Sequence, residues 1–152
     1  MRDLAGLIEF NKKDPVELRW FDQKLLEQAQ EKGGLEAAEY REALEAMLKA
    51  ARDEGIDRLL AEHRLDALVA PTGAPAWKTD RIDGDHFTGS SSSLAAIAGY
   101  PSVTVPMGFV EELPVNVSFF GRAWSEPVLL EIAFAYEQGT RHRRAPKYLV
   151  SD

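Results

Sequence analysis

The 152 residues suit one domain with room for a core, and a composition of 45% hydrophobic and 28% charged residues excludes disordered and collagen-like classes. A net charge of −7 gives phosphate-backbone binding no electrostatic support, so no nucleic-acid partner is expected. With no cysteine, a disulfide framework, a thiolate nucleophile and Cys-based zinc sites are all excluded. No apolar run approaches the roughly 20 residues of a membrane span, and Met1 to Phe10 has neither the basic start nor the apolar core of a signal peptide. No membrane partner and a cytoplasmic location are the expectations.

Residues 1–63 read as helical. Leu4, Leu7 and Ile8 recur at helical spacing between Asp3, placed as N-cap, and Phe10. Asp14-Pro15 breaks this pattern. A second helix is predicted over Phe21 to Glu31, with Phe21, Leu25 and Leu26 on its apolar side and Gly33-Gly34 as its stop. The strongest periodicity covers Leu35 to His63, where Tyr40, Leu44, Met47, Leu48, Ala51, Ile56, Leu59 and Leu60 form one stripe. Unbroken, that helix would be about 43 Å long. Gly55 costs up to about 1 kcal/mol relative to alanine, so a bend or break is expected there.

Residues 64–152 read as mixed strand and helix. Ala67 to Ala70 is a continuous apolar run stopped by Pro71, as in a strand buried on both faces. Pro71 to Gly89 holds two prolines, three glycines and five charged residues and reads as a long loop, of the kind that is usually functional or mobile. A short helix from Ser91 to Ala98, ended by Gly99, precedes a β-branched strand over Ser102 to Pro106. After a turn at Glu111-Glu112, Val115 to Phe120 alternates as a third strand. A last helix is predicted over Ser125 to Gln138, with Ser125 as N-cap, Gly139 as stop and a stripe of Leu129, Ile132, Ala133 and Tyr136. The fold class is therefore α/β, an α+β fragment in one domain: helices first, then about three strands and a closing helix. Three strands are too few for the helices around them, which points to a larger mixed sheet.

The stretch Gly99-Tyr100-Pro101-Ser102-Val103-Thr104-Val105-Pro106-Met107-Gly108, followed by Leu113-Pro114-Val115 through Gly121 and by Tyr136-Glu137, resembles the C-terminal signature of amidase-signature hydrolases. Leu65 to Thr72, ending in Pro-Thr, and Phe10-Asn11 and Gly34 to Tyr40 extend the resemblance over nearly the whole chain. Asn116 departs from it, since the family has glycine at that packing position. The resemblance implies hydrolysis of carboxylic amide C–N bonds by a Ser–Ser–Lys triad, with no metal or organic cofactor. The family's Gly-Gly-Ser-Ser-Gly-Gly stretch does not occur in this sequence. No catalytic residue is therefore assigned, and the chain is expected to be inactive alone. Its expected partners are the missing N-terminal catalytic portion, or a second copy through an exposed sheet edge, with a small amide as substrate of the intact enzyme.

Trp77, Asp85 and His86 lie on the long loop and are candidates for the substrate-pocket wall, because binding residues favour loops. Ser91 joins them, although the run Ser90 to Ser93 is first of all an N-cap. A self-contained triad of serine, Asp85 and His86 has no nucleophile elbow to support it. His63 ends a helix, where it suits the dipole. Asp80, Asp83 and Asp85 lack the terminal glutamate of a calcium loop. Arg141 to Arg144 follows a helix end and complements its dipole.

Overall fold

Asp3 starts the first helix as predicted. Its Oδ1 accepts the Gly6 N–H at 2.7 Å, and α1 runs from Leu4 to Lys13 in a computed structural model that describes residues 2–147. Contacts divide the chain into two compact units between Leu44 and Glu45. In the first unit, the Asp14 carboxylate turns back to accept the N–H groups of Val16 and Glu17, which closes the turn over Pro15. Helix α2 spans Lys24–Gln30 and is shorter than predicted, because the Asp22 carboxylate accepts the Lys24 N–H just before the helix. Phe21 therefore lies outside it and is exposed, as is Leu25. The helix also ends before Gly33 is reached. What joins α1 to α2 is polar: the buried Gln23 side chain donates to the Ile8 carbonyl at 3.3 Å and accepts from Asn11 Nδ2 at 3.2 Å.

Helix α3 spans Ala38–Ala51 and, as expected, does not continue unbroken through Gly55. A π-helical segment, Arg52–Ile56, intervenes before α4, Asp57–Glu62. Gly55 has φ −106° and ψ −108°, and a Cβ on it would sit 2.7 Å from the Ala50 carbonyl oxygen. The break therefore depends on the missing side chain: only glycine fits so close to the Ala50 carbonyl.

The second unit is built on a three-stranded sheet of order β1-β3-β2, with β1 Leu68–Pro71, β2 Ser102–Val110 and β3 Leu113–Phe120, all antiparallel. Helix α5 is Ser92–Ala98 and α6 is Glu126–Thr140. Strand β2 runs past Pro106, its predicted end, by a bulge between Pro106 and Gly108, and meets β3 at a two-residue turn where Glu111 has φ 55°. Proline is tolerated because β2 is an edge strand and need not donate on its outer side. Strand β1 is also an edge, and its alternating burial, with Val69 exposed, corrects the expectation of a strand buried on both faces. The central strand β3 takes that role, since its residues from Val117 to Phe120 are all buried.

Each face of β3 meets a different helical layer. Phe120 packs with Ile56, Leu60, Ala95 and Ala98, while Val117 and Phe119 pack with Leu129 and Ala133 of α6. Phe119 and Tyr136 meet edge to face at 5.7 Å between centroids. Helix α6 runs through Gly139, its predicted stop, because the Arg141 N–H still reaches the Glu137 carbonyl at 2.8 Å. Arg141 then leaves the helix in the left-handed region, with φ 51°. Ser125 holds the N-cap position but donates to the Arg122 carbonyl instead of capping. Among the described residues no helix is long and apolar enough to cross a membrane.

Leu129 is fully buried, so Leu129→Ala should destabilise the second unit by about 2–5 kcal/mol in urea titrations. Burial, and then the 2.7 Å bond its hydroxyl donates to Asp57, raise the pKa of Tyr100 above that of an ordinary phenol. The neutral form is the one favoured by folding. Its contribution is complete below an ordinary tyrosine pKa of about 10 and is lost as pH rises through the folded value. Ultraviolet titration should show one tyrosine ionising late, and Asp57→Asn should bring it earlier.

Candidate functional site

The serine-rich turn sits where the long loop returns to the sheet. Thr72 follows β1 and donates its N–H to the Asn116 carbonyl at 2.8 Å, while its own carbonyl accepts the Ser91 N–H at 3.1 Å. A bridge between Gly73 and Ser90 pins the loop's two ends together. The loop is thus an excursion of 16 residues, 74 to 89, from a closed base.

Beneath this base, the register sets three hydroxyls on one face of the sheet. Thr104 and Ala70 both pair with Ser118, and Thr72 reaches across so that its Oγ1 lies 2.8 Å from Thr104 Oγ1 and 2.7 Å from Ser118 Oγ. The proton order follows from counting, since each hydroxyl has one hydrogen. Thr104 donates to the Val117 carbonyl at 3.2 Å, so it accepts from Thr72, and Thr72 in turn accepts from Ser118. The chain of bonds runs in one direction from buried Ser118 to a backbone carbonyl, and Ser118 Oγ is left with acceptor capacity.

Ser91, predicted to cap α5, does stand at the N-cap position. Its Oγ makes no cap bond, is fully buried and has no partner among the described residues. The local donor is served by its neighbour, Ser90 Oγ, which accepts the Ser92 N–H at 3.2 Å. A buried hydroxyl without a partner costs on the order of 1–3 kcal/mol, which sets Ser91 apart from its serine neighbours.

The other candidates are distributed along the loop. Trp77 Nε1 donates to Asp85 Oδ1 at 3.3 Å, and the Trp77 ring meets Phe87 at 6.1 Å. The structure therefore brings Trp77 and Asp85 together, while His86 is exposed beside them. Asp80 accepts the N–H groups of Asp83 and Ile82, and those two bonds hold its carboxyl below the usual range. It shapes a turn. Among the described residues no group of three His, Asp or Glu could hold a metal ion. His63 is the C-cap residue of α4.

Residues 72, 104 and 118 lie inside the stretches that carry the family resemblance, but nothing in those stretches shows that their hydroxyls meet. Alternation puts Ser118 on the face of Phe120, but only strand pairing reveals that Thr72 and Thr104 join it.

Solved structures match this three-stranded sheet and its helices closely. A peptide amidase named PAM, solved with the competitive inhibitor chymostatin, is 50% identical, with a TM-score of 0.91 over 97% of this chain and 30% of its own. The native peptide amidase of Stenotrophomonas maltophilia is 48% identical, with a TM-score of 0.88 over 99% of this chain and 30% of its own. Among curated relatives, a "probable amidase" of Arabidopsis thaliana is 34% identical over 99% of this chain and 26% of its own length. A glutamyl-tRNA(Gln) amidotransferase subunit of Symbiobacterium thermophilum is 35% identical over 76% of this chain and 24% of its own. No family model matches the chain. The chain belongs to the amidase-signature family, and it spans about a quarter of the length of the curated relatives it matches.

Thr72→Val tests the hydroxyl chain. It keeps the branched shape but strands Ser118 and Thr104, and should cost about 1–3 kcal/mol in denaturant titrations. Thr72→Ser should recover most of that loss.

Proposed function

We propose that this chain is the C-terminal region of an amidase-signature hydrolase that cleaves carboxylic amide C–N bonds, with amidated peptides as its substrate class. The observation that carries this reading is the match of nearly the whole chain, at 50% identity, to under a third of a peptide amidase. Attack on an amide needs an activated hydroxyl and donors aimed at the developing oxyanion. The Gly/Ser-rich motif that would supply the nucleophile is not in this sequence, so the chain supplies sheet, helices and a wall of the substrate pocket. On this reading, Trp77 and Asp85 line that wall with His86, and the unpartnered Ser91 Oγ receives its hydrogen bond from the rest of the enzyme or from substrate.

The rest of the enzyme also accounts for apolar side chains turned outward on both layers. Leu94 and Ile97 on α5, and Leu130 and Phe134 on α6, are exposed at helical spacings of three and four. A rival reading is favoured by the same residues: a non-catalytic module that self-associates through these faces. Size-exclusion chromatography separates the two, since a concentration-dependent dimer that rejects an added catalytic segment supports the rival.

Activity is the direct test. The purified chain alone should release no ammonia from a C-terminally amidated dipeptide. Co-expression with a segment that carries the Gly/Ser-rich motif and its lysine should restore hydrolysis. In that assembled enzyme, Trp77→Ala should raise KM roughly tenfold with little change in kcat, the loss of one aromatic contact worth about 1.4 kcal/mol. Hydrolysis by the chain alone that disappears in His86→Ala would overturn the assignment.

A further inference from the structure

The serine-rich turn lies at the N-terminal end of α5, and a second, separate cleft opens at its other end. It has a volume of about 460 Å³ and is bordered by Arg52, Gly99, Tyr100, Pro101, Trp124 and Glu126. Three links hold the pair of Arg52 and Tyr100 there. The Arg52 Nε donates to the Ala98 carbonyl at 2.7 Å, its guanidinium lies over the Tyr100 ring at 5.4 Å, and that ring is anchored by its hydroxyl to Asp57 at 2.7 Å. Gly99 lies close against the guanidinium: a Cβ there would come within 3.3 Å of an Arg52 Nη. The fork is therefore fixed in orientation, and Arg52 makes no ion pair with any described carboxylate.

Trp124 is the second unusual feature of this cleft. It is 89% exposed, yet its backbone is held at φ 65°, a region that bulky side chains rarely adopt. Packing does not compensate that conformation, because the indole touches little. An oriented guanidinium with unpaired Nη donors and a presented indole together suit one chemistry: a planar carboxylate bound by the fork, with a flat apolar group laid on the indole. Glu126 at the border makes a second negative charge on the ligand unfavourable.

We propose that this cleft binds an aromatic monocarboxylate, with Arg52 taking the carboxylate and Trp124 the ring. The proposal concerns a site apart from the proposed hydrolase pocket and does not depend on that reading. Its test uses the 152-residue chain itself. Calorimetric titration with N-acetylphenylalanine should give saturable binding, and its neutral amide should bind at least about tenfold more weakly, because a charged hydrogen-bonded pair is then lost. Trp124→Ala is a surface change that leaves folding intact, and it should weaken acid binding. Arg52→Lys keeps the charge but removes the fork, and should weaken it by about tenfold. Equal binding of acid and amide would overturn the proposal, as would no binding of either. So would unchanged affinity in Trp124→Ala, which decides the matter even where an Arg52 variant fails to fold.

Discussion

Strand β3 is the constraint on which the second unit depends, because it is the described strand with a neighbour on each side and a helical layer on each face. Phe120 commits one face to the π-helical segment, α4 and α5, while Val117 and Phe119 commit the other to α6. Side chains alternate along a strand, so a slip of one residue would exchange the two sets and drive Ser118 into the α6 layer. The same alternation that fills both cores therefore brings the hydroxyls of Ser118, Thr104 and Thr72 into one line. Core packing and the polar base of the long loop are consequences of one register.

Helix α5 connects the two regions with chemical potential. Its first turn carries the buried, unpartnered Ser91 Oγ, and its left-handed C-cap at Gly99 lies against the Arg52 guanidinium. A buried polar atom without a partner costs free energy, and it occurs here in a chain whose relatives are three to four times longer. Ion pairs contribute less to this picture. Those found, such as Lys147 with Glu112 at 2.8 Å, are exposed on both sides and add little in water.

The elements were largely legible, because hydrophobic periodicity and punctuation residues are local signals. Asp3 capped α1, Gly55 broke the long helix, Gly99 closed α5, and the Glu111-Glu112 turn joined two strands. The errors have a common cause. Phe21 reads as the start of a helical stripe, yet Asp22 takes the Lys24 N–H and starts the helix later. Pro106 reads as a strand end, yet an edge strand accommodates it with a bulge. Gly139 reads as a stop, although a glycine whose neighbours keep their helical bonds need not end anything. In each case a nearby hydrogen bond or a position in the sheet outweighed the residue's usual preference.

The order of the elements, the break at Gly55 and the membership in the amidase-signature family were all readable from the residues themselves, since each rests on neighbours in sequence or on an ordered set of motifs. The sequence also placed Trp77 and Asp85 on one loop without showing that they bond. Which strand would be central, which serine would cap α5 and which would be left without a partner, and where Arg52 would find Tyr100 were decided by tertiary structure alone. Those outcomes join residues 46 positions apart, as Arg52 and Ala98 are, and depend on strand order and register, which no local pattern contains.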